Sequence, residues 1–352
     1  MIRGILKGMK KPALTFILSI VCSAQNYKVE QTADRGIPVV HLVDTSKGVE
    51  VSVLPSVGNR AFEMKVHGKN ILRLPASDVA QIQKAPGLDG IPFLAPWANR
   101  MSEPAFWANG KKYPFNMTLG NIGDPIPSGL LFTSDLWKLT EMAADSNSAH
   151  VTSKLEYWKY PDLMAQWPFA HEYEMTYRLA DGVLEVQVTV TNLSAESMPM
   201  TIGYHPCYRI PDISRDEWTA HLPGRKVVVT DSRLVATGEF NPNDLPDPLP
   251  LKTHNLDTAF TDLQRDAGGR AHFWIESGGK RVEVIQGPKF AVALIFNPPA
   301  PAGETRDFVC IEPMAGITNS LNLHHAGKYP DLQSIPPGGR WKESFWIRAS
   351  GI

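Results

Sequence analysis

Val183-Leu184-Glu185-Val186-Gln187-Val188-Thr189-Val190-Thr191 decides the fold class. Leu184, Val186, Val188 and Val190 fall on one face of an extended chain, and Glu185, Gln187, Thr189 and Thr191 on the other. A period of two in a stretch rich in β-branched residues predicts a half-buried antiparallel strand. Working outward, similar short strands read at 37–43, 49–54, 60–66, 151–158, 172–179, 198–204, 225–229, 271–275, 280–286, 290–296, 307–312 and 341–348. Turn formers separate them: Asp181-Gly182, Gly268-Gly269, Gly278-Gly279 and Pro336-Pro337-Gly338-Gly339. Phe273 to Val284, around Ser277-Gly278-Gly279, is the clearest hairpin. Convincing helical periodicity is absent beyond short stretches. The expectation is an all-β chain, a large antiparallel β-sandwich with few short helices.

The length of 352 residues suggests about two domains. No repeat, linker or low-complexity stretch divides the chain, and the Pro-rich segment Asn241 to Pro250 reads as a surface loop. One large β domain over 25–352 is therefore expected. Hydrophobic residues at 43% and charged residues at 20% are ordinary for a soluble chain. Lys+Arg 35 against Asp+Glu 36 leaves no basic stripe, so nucleic acid is a poor partner. Nine Trp hint at a ligand with flat apolar faces.

The first residues carry Arg3, Lys7, Lys10 and Lys11, then an apolar run from Pro12 to Val21, then Cys22-Ser23-Ala24-Gln25. A basic head, a short apolar core and small residues describe a secretory signal over 1–24. A secreted or periplasmic protein is expected, without membrane attachment once the signal is removed. Losing those four cations takes the net charge from −1 to −5. Cys207 and Cys310 then remain, either as buried thiols or as a pair.

P-loop, GxSxG, HExxH and CxxC motifs are absent. His324-His325, placed in a strand, would point opposite ways and could not chelate together; the pair reads as surface. Four segments set polar residues among apolar and turn residues: Ala95-Pro96-Trp97-Ala98-Asn99-Arg100, Met198 to Tyr208, Asn255-Leu256-Asp257-Thr258-Ala259-Phe260, and Asp307-Phe308-Val309-Cys310-Ile311-Glu312-Pro313. A Glu ending an apolar strand is costly unless it is paired or wet, and the same holds for His205 between Tyr204 and Pro206. Taken singly, each is more often structural than functional.

Taken together, Asn99-Arg100, Gly203-x-His205-Pro206-x-Tyr208, Asp257-x-x-Phe260 and Cys310-x-Glu312-Pro313 resemble the ordered motifs of the aldose 1-epimerases, the galactose mutarotase-like superfamily. Ile335-Pro336-Pro337-Gly338 with Trp341 to Ile347 resembles that family's last strands, and the opening strands before Asn70-Ile71-Leu72 resemble its first. The resemblance runs over roughly 30–350. It implies a supersandwich with a concave sugar-binding face, and an isomerase that needs no metal, nucleotide or redox cofactor. The substrate it implies is a small sugar, handled by a monomer or weak dimer.

By resemblance, Glu312 is the base that takes the anomeric hydroxyl proton and His205 the acid that protonates the ring oxygen. Asn99, Arg100 and Asp257 would bind sugar hydroxyls, and Trp97 would stack on the ring. The chain departs from the family at Ser128, in Pro127-Ser128-Gly129-Leu130-Leu131, where many galactose mutarotases carry a second His. Ser128 can donate a hydrogen bond to substrate but cannot share proton chemistry. Ala293-Leu294-Ile295-Phe296-Asn297-Pro298 is closer to the hexose-phosphate branch. Strand alternation puts Cys207 and Cys310 near His205 and Glu312, and leaves both cysteine readings open. Three functions follow: an epimerase of free hexoses, a hexose-6-phosphate 1-epimerase, and a carbohydrate-binding module that has lost catalysis.

Overall fold

The computed structural model describes residues 21–76, 78–123, 128–300 and 306–352. The decisive stretch forms strand Val183–Asn192, in which Leu184, Val186, Val188 and Val190 are each 0% exposed. It pairs on one side with His171–Ala180 and on the other with Arg340–Ser350, both antiparallel. Asp181 and Gly182 close the first hairpin with positive φ values of 51° and 73°, the backbone an Asp-Gly turn supplies. These strands sit in a nine-stranded sheet. A six-stranded meander from Val21–Ala24 to Lys69–Asn70 packs near one end of it. The hairpin turn helps join the two sheets, since Gly182 N donates to Asp44 Oδ2 at 2.9 Å and Asp181 N donates to Tyr27 Oη at 3.0 Å.

An eight-stranded sheet carries parts of three of the four segments singled out in the sequence, and Ala95 to Arg100 follows directly on one of its strands. It contains Phe93–Leu94, Gly203–Tyr204, Leu256–Leu263, Val292–Asn297 and Val309–Met314, with Cys207–Tyr208 paired to the last. Phe93 meets Tyr173 edge-on at 5.4 Å, and Tyr204 meets Phe345 at 4.9 Å. These rings cross from the eight-stranded to the nine-stranded sheet, so the main core lies between them. The all-β sandwich expected from the alternation is the architecture found. Three helices of six residues each, Val79–Lys84, Pro161–Gln166 and Ser320–His325, occur among the described residues.

Several strands were not read from the sequence. Tyr27–Asp34 has only two inward apolar side chains at its start, and Lys138–Ala144 is an exposed edge. Leu256–Leu263 is interrupted by Asp257 and Asp262. His324 and His325 end a helix instead of lying in a strand; both are exposed, as expected for a surface pair. Of the segment read as a secretory signal, residues 1–20 lie outside the described residues. Val21–Ala24 forms an edge strand on Tyr27–Asp34.

Candidate functional site

Strand register places the chemistry. Ile295 faces Ile311 across the ladder, and both turn into the core. Their neighbours therefore turn to the opposite face of the sheet. Leu294 pairs with Glu312, Phe296 with Cys310, Asp257 with Phe296, and Cys207 with Cys310. All six side chains line one cavity of about 580 Å³, a volume typical of small-molecule sites. Asn99, Arg100 and His205 join them from the loops that flank the short strands.

Gly203 allows the close approach this needs. A Cβ there would lie 2.8 Å from Met314 Cγ and 3.0 Å from Pro313 O, so any larger residue would push its strand off Val309–Met314. Two residues on, His205 N donates to Pro92 O at 3.0 Å. Asn99 holds a left-handed backbone with φ of 58°, which Asn tolerates well, and its Nδ2 lies 3.5 Å from Met314 Sδ.

The central pair is His205 Nε2 and Glu312 Oε1 at 3.2 Å, with side-chain exposures of 17% and 1%. The contact is close without hydrogen-bond alignment, and neither Glu312 oxygen has a hydrogen-bond donor among the described residues. Burial pushes Glu312 well above the ordinary carboxylate range, and the nearby Asp257 carboxylate adds to this while Arg100 opposes it. Burial lowers His205 to about 4, with Arg73 and Arg100 adding in the same direction. Burial likewise raises Asp257, against Arg100. Both shifts in the pair favour its uncharged form, a carboxylic acid beside a neutral imidazole. A buried proton donor and acceptor in contact, open to a cavity, can move a proton onto and off one bound molecule.

Asn99, Arg100, His205, Asp257 and Glu312 thus meet at one cavity. Two sequence assignments need correction. Trp97 is 0% exposed and stacks on Phe115 at 4.8 Å and on Trp167 at 6.0 Å; it fills the core and does not reach the cavity. Ser128 is exposed and joins Arg100 through a backbone bridge, without lining the cavity. No tryptophan among the described residues lines the cavity, so the flat apolar surface comes from Phe296 and Phe308. Phe308 was legible, because it lies two residues before Cys310 on the same face.

Arg73, Asp89 and Arg306 also line the cavity and were missed. Arg73 approaches Asp89 at 3.3 Å, and the Arg73 and Arg306 guanidinium carbons lie 4.6 Å and 5.9 Å from the Phe308 ring centre. Nothing in the local sequence distinguishes these arginines from surface cations. Of the two readings left open for the cysteines, the disulfide forms, with Cys207 and Cys310 bonded at 1.94 Å beside His205.

The sequence model of the aldose 1-epimerase family matches residues 40–348. Among curated proteins, YphB of Escherichia coli K12 is 24% identical over 201 residues, which is 52% of this chain and 62% of that protein. The chain thus spans somewhat less than two thirds of that relative's length. A galactose mutarotase-like protein of Clostridium acetobutylicum has a similar structure, with a TM-score of 0.79 at 22% identity over 93% of this chain and 99% of that one. The galactose 1-epimerase of Lactobacillus acidophilus NCFM gives a TM-score of 0.68 at 13% identity, covering 95% and 98% of the two chains.

Proposed function

The chain belongs to the aldose 1-epimerase family, and we propose that it interconverts the α and β anomers of a free hexose, with Glu312 as base and His205 as acid. One observation carries this reading: Glu312 is buried without a hydrogen-bond donor among the described residues, 3.2 Å from His205, on the floor of a cavity large enough for a sugar. An unpartnered buried carboxylate is destabilising unless a ligand hydroxyl completes it. The pair carries one proton. On binding, that proton sits on His205, and Arg100 together with sugar hydroxyls supports the carboxylate left behind. Glu312 takes the proton of the anomeric hydroxyl, and His205 gives its proton to the ring oxygen. The C1–ring oxygen bond breaks, C1 becomes an aldehyde, and rotation about C1–C2 presents its other face. Reclosure returns both protons. Arg100 and Asp257 would hold the remaining hydroxyls, and Phe308 or Phe296 the apolar face of the ring.

Polarimetry of freshly dissolved α-glucose and α-galactose tests this. Wild type should speed mutarotation over buffer, and His205→Ala and Glu312→Ala should each lose about 10²-fold or more. No acceleration on any common aldose sinks the reading. Acceleration that survives Glu312→Ala sinks only the assignment of the base.

A second reading has its own support. Arg73 and Arg306 at the wall of the cavity suit an anionic substituent, as on a hexose 6-phosphate. Higher kcat/KM on glucose 6-phosphate than on glucose would favour it. A binding module without catalysis fits less well, because a binding site gains nothing from an unpaired buried acid. Secretion through residues 1–24 belongs to the same proposal, supported by the charge and hydropathy of that segment.

A further inference from the structure

We propose that, when the Cys207–Cys310 disulfide is reduced, Cys207, Cys310 and His205 together bind one thiophilic divalent cation of the Zn²⁺ type on the cavity floor. The two Sγ atoms and a ring nitrogen of His205 lie within 4.8 Å of one another, and His205 Nδ1 is 3.7 Å from Cys207 Sγ. Zinc held tetrahedrally at about 2.3 Å from sulfur and about 2.0 Å from nitrogen sets ligands roughly 3.5–3.8 Å apart. The Cys207–His205 spacing already meets that need; the two sulfurs must part, and Cys310 Sγ must settle at the same distance from the ring nitrogen. All three residues line the cavity, so an ion has a path in and a fourth position open to water.

The far side of the imidazole fits as well. A metal-bound His commonly donates its other N–H to a carboxylate, which fixes the ring. Glu312 Oε1 stands 3.2 Å from His205 Nε2, near enough to take that role after a small turn of the ring into alignment. Reduction of the disulfide consumes two electrons and two protons from a dithiol, which is itself oxidised to a disulfide. Metal coordination then releases the two thiol protons. With the metal on Nδ1, the ring keeps its proton on Nε2 and can no longer pass one back and forth. This loss of turnover rests on the epimerase reading; the metal site does not.

The test uses the full chain carrying Cys22→Ser, so that Cys207 and Cys310 are its only thiols. It is reduced with a phosphine, which takes up oxygen from water as the disulfide becomes two thiols, and is titrated with Co²⁺ without air. A thiolate-to-cobalt charge-transfer band should saturate at one equivalent and vanish on adding Zn²⁺. The oxidised protein should show no band, and adding Cys310→Ser should weaken binding at least tenfold. In reduced protein, one equivalent of Zn²⁺ should slow mutarotation at least tenfold, and a chelator should restore it. The proposal is overturned if the reduced chain shows no band, or if the oxidised or Cys310→Ser chain shows an equal one. It is also overturned if reduction abolishes the near-UV circular dichroism and metal does not restore it. A band in a protein without mutarotase activity upholds the metal site and counts against the epimerase reading.

Discussion

Glu312 has both oxygens out of water and no hydrogen-bond donor among the described residues. A carboxylate kept only for the fold would be bonded there. Gln in its place keeps the shape and matches the neutral form that burial favours. Glu312→Gln should therefore unfold within about 1 kcal/mol of wild type while losing at least about 100-fold in mutarotation. Urea titration and polarimetry on the same sample check this, and a stable, fully active variant would show that the side chain is only structural. His205, Asp257 and Arg100 were legible beside it because each is a polar residue in an otherwise apolar or turn-rich segment. Arg73 and Arg306 were not, since cations of that kind are usually solvated.

At the scale of the elements, Arg60 ties the cavity rim to the sheets. It is 0% exposed, yet donates to Val57 O at 3.1 Å, Gly87 O at 2.6 Å, Asp89 O at 3.2 Å and to Phe132 O. Burial lowers it to about 10, with Asp89 opposing. Four carbonyls from three segments converge on one guanidinium, and Gly87 and Asp89 line the cavity. Arg60→Met should destabilise by about 3 kcal/mol, since it leaves buried carbonyls without donors, and should raise KM through the loosened rim. A loss below about 1 kcal/mol in urea unfolding would contradict this role. The alternation of Arg60–Val66 was plain in the sequence, but nothing there says that its first residue is a buried clasp.

Across the whole molecule, acid should weaken the sandwich. His171 is 0% exposed in the nine-stranded sheet, its Nδ1 2.6 Å from Phe169 O and its ring stacked on Tyr157 at 4.2 Å. Burial lowers it to about 4. Between the ordinary value of about 6.5 and 4, the unfolded chain binds a proton that the folded chain does not. The stability His171 contributes is therefore complete above pH 6.5 and is lost as pH falls toward 4, by about 3 kcal/mol. His171→Asn should flatten the fall in urea midpoint between pH 7 and 4.5, and an unchanged slope would remove His171 as its cause.

The sequence by itself determined the fold class, because a period of two written in Val, Leu and Ile admits one kind of burial, a sheet with one face inward. It also determined which polar residues were out of place. The tertiary structure decided which of them meet. Trp97 lies two residues before Asn99, and Ser128 stands where many galactose mutarotases carry a His, yet one fills the core and the other is absent from the cavity lining. Cys207 and Cys310 lie 103 residues apart, and only pairing of their strands makes them neighbours. The physical reason is that alternation fixes the face a side chain takes within its own strand, whereas strand order and register, set by contacts far apart in the chain, fix what stands across from it.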